Sequence, residues 1–581
     1  MIKLNLIIAA ILFYSLFPLS GQVKKQETGL KREVTLYNPY KPSLPESVKR
    51  SFLPDMSDTV KVRPEFHYDV TTKPFMPAYV ISPIKPATLL SDPLPKLYKS
   101  YVNFGLGNYF TPLAEISVTN ERSKKGSLGF YARHFSTNGK IGLENGKHVF
   151  AGYMDNDASV FGRKFFEGNV FESSVDFTQR TRYAYGYNTS LTDYSADKKD
   201  IRLNYNNIGA KASLSSLNTD SASLSYKFDI SYNYFHNTKD LYQHCAVING
   251  IMEKSFEGLF IGSRVSYSFY RLPDILLSVP KYIASISPFV MKSSGIWNFK
   301  LGLQAVIDKN ISPQSDFHLY PDFDFGFSIV PSYVSFFAAL SGKLEKNDPL
   351  KIISENPFLV PDGSLFTLPN TSHTIIISSG LKGNDGIGGN YLVSASYSLI
   401  NNMLFYSNLV SPSYLNILFP GLASREVGNH FVPEPDNVDL LNIHGEISGV
   451  ITDKISYSGS ANWYKYTLTQ NAFAWNKPSW DGRISFKYNL RDKIIIGAEL
   501  TGTGKRKLQV VYRDMISDEI IPPQVFNMPV HFNLNLNAEY RYSRILSFWA
   551  RLDNLAYNRY FEWAFYPSQR FLCMLGFTYS L

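Results

Sequence analysis

Two cysteines, Cys245 and Cys573, are all that the 581 residues carry, and no C-x-x-C pair exists among them. That excludes a disulfide framework and a cysteine-built zinc site. The ten histidines are dispersed and none sits in an H-E-x-x-H frame, so the usual signature of a metal-dependent hydrolase is missing. His244-Cys245 is one adjacent pair and reads as an ordinary loop feature. Basic residues outnumber acidic ones, 58 to 49, for a net charge of +9. They are scattered, the longest basic run being Lys505-Arg506-Lys507, which describes solvated turns rather than a nucleic-acid footprint. The glycine-rich stretch 383–389 lies between strand patterns, with no helix behind it to present a phosphate site. Beyond residue 21 no apolar run approaches the ~20 residues that a membrane-spanning helix needs. No enzymatic activity, cofactor, metal or nucleic-acid partner is therefore expected.

Aromatic residues are what the chain has in excess: 39 Tyr and 42 Phe, with aromatics at 15% of the sequence. Large apolar groups without long apolar runs imply many short, half-apolar segments, as in a membrane barrel whose two wall faces alternate. Residues 1–21 (MIKLNLIIAAILFYSLFPLSG) have a basic start at Lys3, an apolar core and small residues at the end. They read as a secretory signal cleaved before Gln22. Residues 22–97 hold eleven prolines, Pro39 to Pro95. Proline fixes φ and removes a backbone donor, so this stretch is read as extended and partly polyproline-like. Its aromatics, among them Tyr37, Phe66 and Tyr79, are more than a spacer needs.

From about residue 98 the pattern has period two and runs to the end. Leu224, Tyr226, Phe228, Ile230, Tyr232 and Tyr234 alternate with Ser225, Lys227, Asp229, Ser231 and Asn233. Leu534, Leu536, Ala538, Tyr540 and Tyr542 alternate with Asn533, Asn535, Asn537, Glu539 and Arg541. Period two sends the two sets to opposite faces of a strand. The strands are about ten residues or longer, enough for a tilted crossing of a bilayer, and full charges sit deep in the polar face. The fold class is all-β: a transmembrane antiparallel β-barrel over residues 98–581. At about 22 residues per strand and connection, it should hold roughly 20–22 strands. Tight turns at 124–126, 218–221, 452–454, 490–493 and 543–544 alternate with long connections at about 138–168, 346–372 and 409–436. That asymmetry predicts short periplasmic turns and long external loops.

The last stretch is a strand. Phe571, Cys573, Leu575, Phe577, Tyr579 and Leu581 share one face; such a strand closes a barrel by pairing with the first, and it resembles the C-terminal insertion signal of outer-membrane proteins, which implies recognition by the barrel-assembly machinery. Before it come Leu552-Asp553-Asn554-Leu555, Tyr557-Asn558-Arg559-Tyr560, Tyr566-Pro567 and Arg570, then Gly576 and Tyr579. This series resembles the final two strands of TonB-dependent receptors. Gln569 stands where those usually have glycine, and Leu581 where they usually have phenylalanine. The Asn-rich aromatic strands and Gln22 resemble the Bacteroidetes branch of that family. The resemblance implies an outer-membrane barrel of a Gram-negative bacterium, in contact with its lipid. It does not extend to the globular plug of those receptors, because the proline content of 22–97 forbids a mixed sheet.

Parity places Arg180, Arg182, Glu172, Asp176, Lys227, Asp229, Lys300, Arg483, Lys487, Glu539, Arg541 and Arg551 on the lumen wall. Both signs are present, which predicts no strong ion selectivity. Arg180 and Arg182, two apart, form the strongest local anion-facing pair, although salt bridging across the lumen is the expected fate of most of these charges. Asp322 and Asp324 alternate with Phe323 and Phe325 and read as strand rather than calcium site. Two function classes follow: transport through a lumen partly filled by residues 22–97, or an anchor whose proline-rich segment docks a periplasmic or surface protein.

Overall fold

In a hydrocarbon layer a strand survives only if each neighbour satisfies its N–H and C=O groups, and the alternating residues around residues 98–581 are arranged to allow that. The computed structural model describes residues 98–581 apart from 121–122, 124, 188, 190–196, 218–222, 238–240, 272–280, 311–313, 360–367, 411–426, 514–519 and 570. These residues belong to one unit, Asp92–Leu581. The signal sequence and the proline-rich segment read at 1–21 and 22–97 lie outside the described residues.

The sheet contains 24 strands in one continuous hydrogen-bonded order. Two of them, Arg506–Arg513 and Ile520–Met528, form a hairpin beside the wall, because Ile494–Thr503 skips over them to pair with His531–Arg541. The remaining 22 close into an antiparallel ring, the upper end of the expected range. Closure is made by the first strand, Ser100–Gly107, and the last, Leu572–Ser580. Their register runs from Tyr101 opposite Ser580 to Gly107 opposite Met574.

Alternation fixes which face looks where. On Ser225–Asn237, Phe228, Ile230 and Tyr232 are exposed, and on Trp297–Lys309, Leu301, Leu303 and Ile307 are exposed. Their neighbours in sequence, Phe235 and Val306, are buried. The buried set touches residues from distant strands: Tyr205 donates its hydroxyl to the carbonyl of Pro357 at 2.8 Å. It therefore faces the barrel interior, and the exposed apolar set forms the outer wall. No soluble chain leaves such a continuous apolar belt to water. Among the described residues no helix is long and apolar enough to cross a membrane; strands make the crossing.

At the seam the outer face stays apolar. Phe577 pairs with Phe104 and Phe548, and Leu575 with Leu106 and Ala550. On the inner face the Trp549 indole spans the seam and donates Nε1–H to Asn103 Oδ1 at 2.8 Å. Gly105 and Gly576 make room for that ring; a Cβ on either would collide with it.

Both chain ends of the barrel lie at one rim. Connections there are short, such as 167–168, 257–258, 294–296 and 453–454. Glu257 and Gly258 both have positive φ, 49° and 81°, the backbone of a two-residue turn matched to strand twist. Every long connection is at the opposite rim, which matches the expected asymmetry. The bounds of those connections differ from the sequence reading. The strand Tyr153–Phe166 starts inside the stretch 138–168, because Asp155, Asn156 and Asp157 are polar on both faces and hide the alternation. Likewise Val427–Thr452 begins within 409–436, and a helix, Pro349–Glu355, occupies part of 346–372.

Leu575 is 64% exposed in the middle of the closing strand. Leu575→Arg should cost about 2–4 kcal/mol in a bilayer. In urea titrations of the barrel in lipid, the unfolding midpoint should fall clearly below that of the unsubstituted chain.

Candidate functional site

The long connections fold inward at their rim and pack on one another. In the connection after Val334–Glu345, Asp348 caps the helix Pro349–Glu355 by accepting from Lys351 N at 2.9 Å, with proline in the first turn. The helix buries Ile352 and Ile353, and after it the buried Asn356 side chain accepts from Phe358 N at 3.0 Å. Phe358 stacks on Tyr566, ring centroids 3.9 Å apart. Tyr566 belongs to a small hairpin, Phe561–Trp563 with Tyr566–Pro567. Phe431, Trp563, Tyr406, Leu508 and Met528 complete an apolar cluster that also includes inward wall residues Leu203, Tyr205 and Phe235.

Polar bonds tie the pieces. Arg506 donates to the carbonyls of Phe561 at 2.6 Å and Glu562 at 3.0 Å, and to Asn476 Oδ1 at 3.2 Å. One guanidinium thus joins three connections. Tyr185 donates to Pro567 O at 2.9 Å, and Asn408–Val410 pairs in parallel with Val510–Tyr512.

Between this pack and the wall lies a cavity of about 410 Å³. Its wall side is Tyr153, Arg182, Tyr183, Asn533 and Asp553, and its loop side is Glu355, Phe358, Tyr560, Glu562, Trp563 and Ser568. Two of its charges are already neutralised: Arg182 by Asp155 at 2.6 Å, and Asp553 by Arg551 at 2.9 Å. Glu355 accepts from the Tyr406 hydroxyl at 2.6 Å and Glu562 has no hydrogen-bond or ion-pair partner among the described residues. Crowding by the surrounding protein pushes the Glu562 carboxyl up from the ordinary carboxylate range although the side chain is exposed at the cavity, while the Arg182 and Arg506 guanidinium groups pull it down. Burial raises the Tyr560 hydroxyl to about 12; its ring stacks on His531 at 4.3 Å. Ser568, 4% exposed, lies against the Tyr560 hydroxyl, and Asn533 holds a buried oxygen without a hydrogen-bond partner among the described residues.

Most of the residues chosen by parity fall into ion pairs on the face opposite the exposed apolar set. Arg180 bonds Asp157 at 2.7 Å and Arg182 bonds Asp155, so the two arginines are matched by two carboxylates on the neighbouring strand and are not an open anion pair. The signal was Asp155-x-Asp157, two apart like the arginines. Glu172 pairs with Arg163, and Asp176 accepts from Ser159 at 2.6 Å and Ser174 at 2.8 Å. Lys227 and Asp229 are 3.6 Å apart, Arg483 and Glu499 3.6 Å, and Arg541 and Glu539 3.2 Å. Lys300 reaches Asp322 at 2.5 Å and Asp324 at 3.6 Å. Lys487 stands opposite Ser456 and Gly497 on the flanking strands. Glu172, Lys227 and Asp229 line a common recess of about 780 Å³; only Arg182 lines the cavity at the far rim. His244 and Cys245 diverge: His244 meets the Tyr232 hydroxyl at 2.7 Å, while Cys245 receives Lys346 Nζ at 3.1 Å. No cluster of three metal-ligating side chains exists among the described residues. Of the closing-strand residues, Phe571 precedes the strand, Leu575, Phe577 and Tyr579 lie in the seam register, and Leu581 bonds back to Ser100. Arg570, one residue of the receptor-like series, lies outside the described residues.

No family model matches the chain, and no curated protein matches it. Solved structures do. The FrpB iron transporter from Neisseria meningitidis shares 10% identity at a TM-score of 0.62, over 84% of this chain and 82% of that one. The pyoverdine receptor FpvA from Pseudomonas aeruginosa shares 11% at 0.60, over 84% and 79%. The copper transporter OprC shares 12% at 0.56, over 84% and 81%. The barrel is therefore built on the fold of TonB-dependent outer-membrane receptors.

Arg506→Ala would leave the carbonyls of Phe561 and Glu562 without their donors, at about 1.5–3 kcal/mol for a charged hydrogen-bond group. Limited proteolysis of the folded protein should cut faster within 504–530 and 554–571, with the barrel wall left resistant.

Proposed function

We propose that this chain is an outer-membrane transport barrel, non-enzymatic, whose interior is the path. The observation that carries the reading is the division of labour in the structure. The 22-strand wall is closed, whereas among the described residues the far rim is filled by folded connections that pack through an apolar cluster and are tied by hydrogen bonds, Arg506 foremost. A wall needs no such arrangement to be an anchor; a gated path does. The ion-paired charges, Arg180, Arg182, Glu172, Lys227, Asp229, Lys300, Arg483, Glu539, Arg541 and Arg551, with Asp176 and Lys487, would line that path. Their near-balance leaves its selectivity to shape and local chemistry. Residues 22–97, following a cleaved signal, would lie along the lumen from the rim that holds the chain ends. The final strand, with Phe571, Leu575, Phe577, Tyr579 and Leu581, would serve as the signal read by the barrel-assembly machinery, and the apolar wall would sit in outer-membrane lipid.

Planar-bilayer conductance of the mature protein, measured beside a version lacking residues 22–97, tests this. Deletion should produce a larger, steady conductance. Equal conductance of the two folded forms would remove the lumenal role of the segment. If both are silent and the full chain co-purifies with another envelope protein after mild extraction, an anchoring role replaces transport.

A further inference from the structure

The cavity at the far rim has a definite chemical character. Its volume, about 410 Å³, is in the range of pockets that hold a small organic molecule. Aromatic rings supply much of the surface: Tyr153, Tyr183 and Tyr185 from the wall side, Phe358, Tyr560 and Trp563 from the loops. The faces of such rings carry negative potential and attract cations.

The charges point the same way. Arg182 is taken up by Asp155, and Asp553 by Arg551. What remains facing the space is Glu355 and Glu562. Two cations stand behind these acids without lining the cavity. Arg506 spends its terminal N–H groups on backbone carbonyls and Asn476, and Lys477 lies near Glu355 in the neighbouring connection. Among the described residues the one cation that lines the space is Arg182, already paired with Asp155. The wall also holds a buried oxygen that lacks a donor, Asn533 Oδ1. An ammonium group brings three N–H donors and no acceptor, which suits a wall of carboxylates and an unpartnered amide oxygen; a carboxylate or phosphate would meet repulsion there. A bare metal ion fits poorly, since no third ligating side chain joins the two glutamates among the described residues.

We propose that this cavity binds a small organic cation, a protonated amine on an aromatic or apolar body, with Glu562 and Glu355 as its counter-charges. The proposal names the ligand class of the transport path and rests on that reading for how the ligand arrives. The binding itself can be measured apart from transport.

The test uses the full mature chain folded in detergent and three probes with one ring in common: benzylamine, benzyl alcohol and benzoate. In calorimetric titration at neutral pH, benzylamine should bind saturably with one site per chain, benzyl alcohol more weakly, and benzoate not at all. Glu562→Gln, nearly isosteric, should weaken benzylamine about tenfold or more, and Glu562→Gln with Glu355→Gln should abolish it. Heat-modifiable gel mobility would confirm that both variants keep the folded barrel. No saturable benzylamine binding, an unaffected Glu562→Gln, or benzoate binding as tightly as benzylamine would each overturn the assignment. Benzylamine flux into proteoliposomes separates the two claims. Binding without flux keeps the site and removes transport, whereas flux without a saturable, Glu562-dependent site keeps transport and removes the site.

Discussion

Everything in this molecule depends on one constraint: backbone amides in hydrocarbon have no water to bond, so each must find a partner in the sheet. A 22-strand ring has no edge, and the place where an edge would otherwise exist is the seam between Ser100–Gly107 and Leu572–Ser580. The sequence near the seam serves that join on both faces. Phe104, Leu106, Leu575 and Phe577 keep the outer surface apolar, and the paired glycines 105 and 576 admit the Trp549 ring that bridges the inner face. With no edge left over, the strands need no core in the usual sense. Their apolar groups can face outward, and the interior is free to be polar.

That freedom explains the contrast between the two rims. At the rim that holds the chain ends several turns are only two or three residues long, with left-handed residues such as Glu257 and Gly258. At the other rim the connections are long enough to fold, and they gather the apolar residues that the wall cannot bury: Ile352, Phe358, Phe431, Trp563 and Tyr566. Their association leaves polar backbone to be satisfied, and Arg506 does much of that by donating to two carbonyls of a neighbouring hairpin. The cavity exists because this pack meets the wall imperfectly along 151–153, 182–185 and 533, and the groups left facing it are acidic and aromatic.

The wall was legible in the sequence because a period of two needs only local residues to be seen. The length of chain per strand and connection gave the range of roughly 20–22 strands, and strand type follows directly from the period itself. It failed where both faces are polar, as at Asp155 to Asp157, which hid the start of a strand and with it the partners of Arg180 and Arg182. The cavity was not legible. Glu355, Arg182 and Glu562 come from three distant parts of the chain, and nothing local tells an aromatic in a folded connection from one at a membrane interface. Lys505-Arg506-Lys507 read only as a basic run, although its middle residue joins three connections. Cross-chain contacts of this kind carry no periodic signal.

Closure is the claim on which the rest stands, and a disulfide across the seam measures it directly. In a background where Cys245 and Cys573 are serine, Tyr101→Cys with Ser580→Cys places thiols on facing residues of the first and last strands. Mild oxidation of the membrane-inserted protein should link them within one chain, while Tyr101→Cys with Thr578→Cys, two residues out of register, should stay reduced. Linkage of the second pair in preference to the first, or of neither in the folded protein, would contradict the closed ring described above.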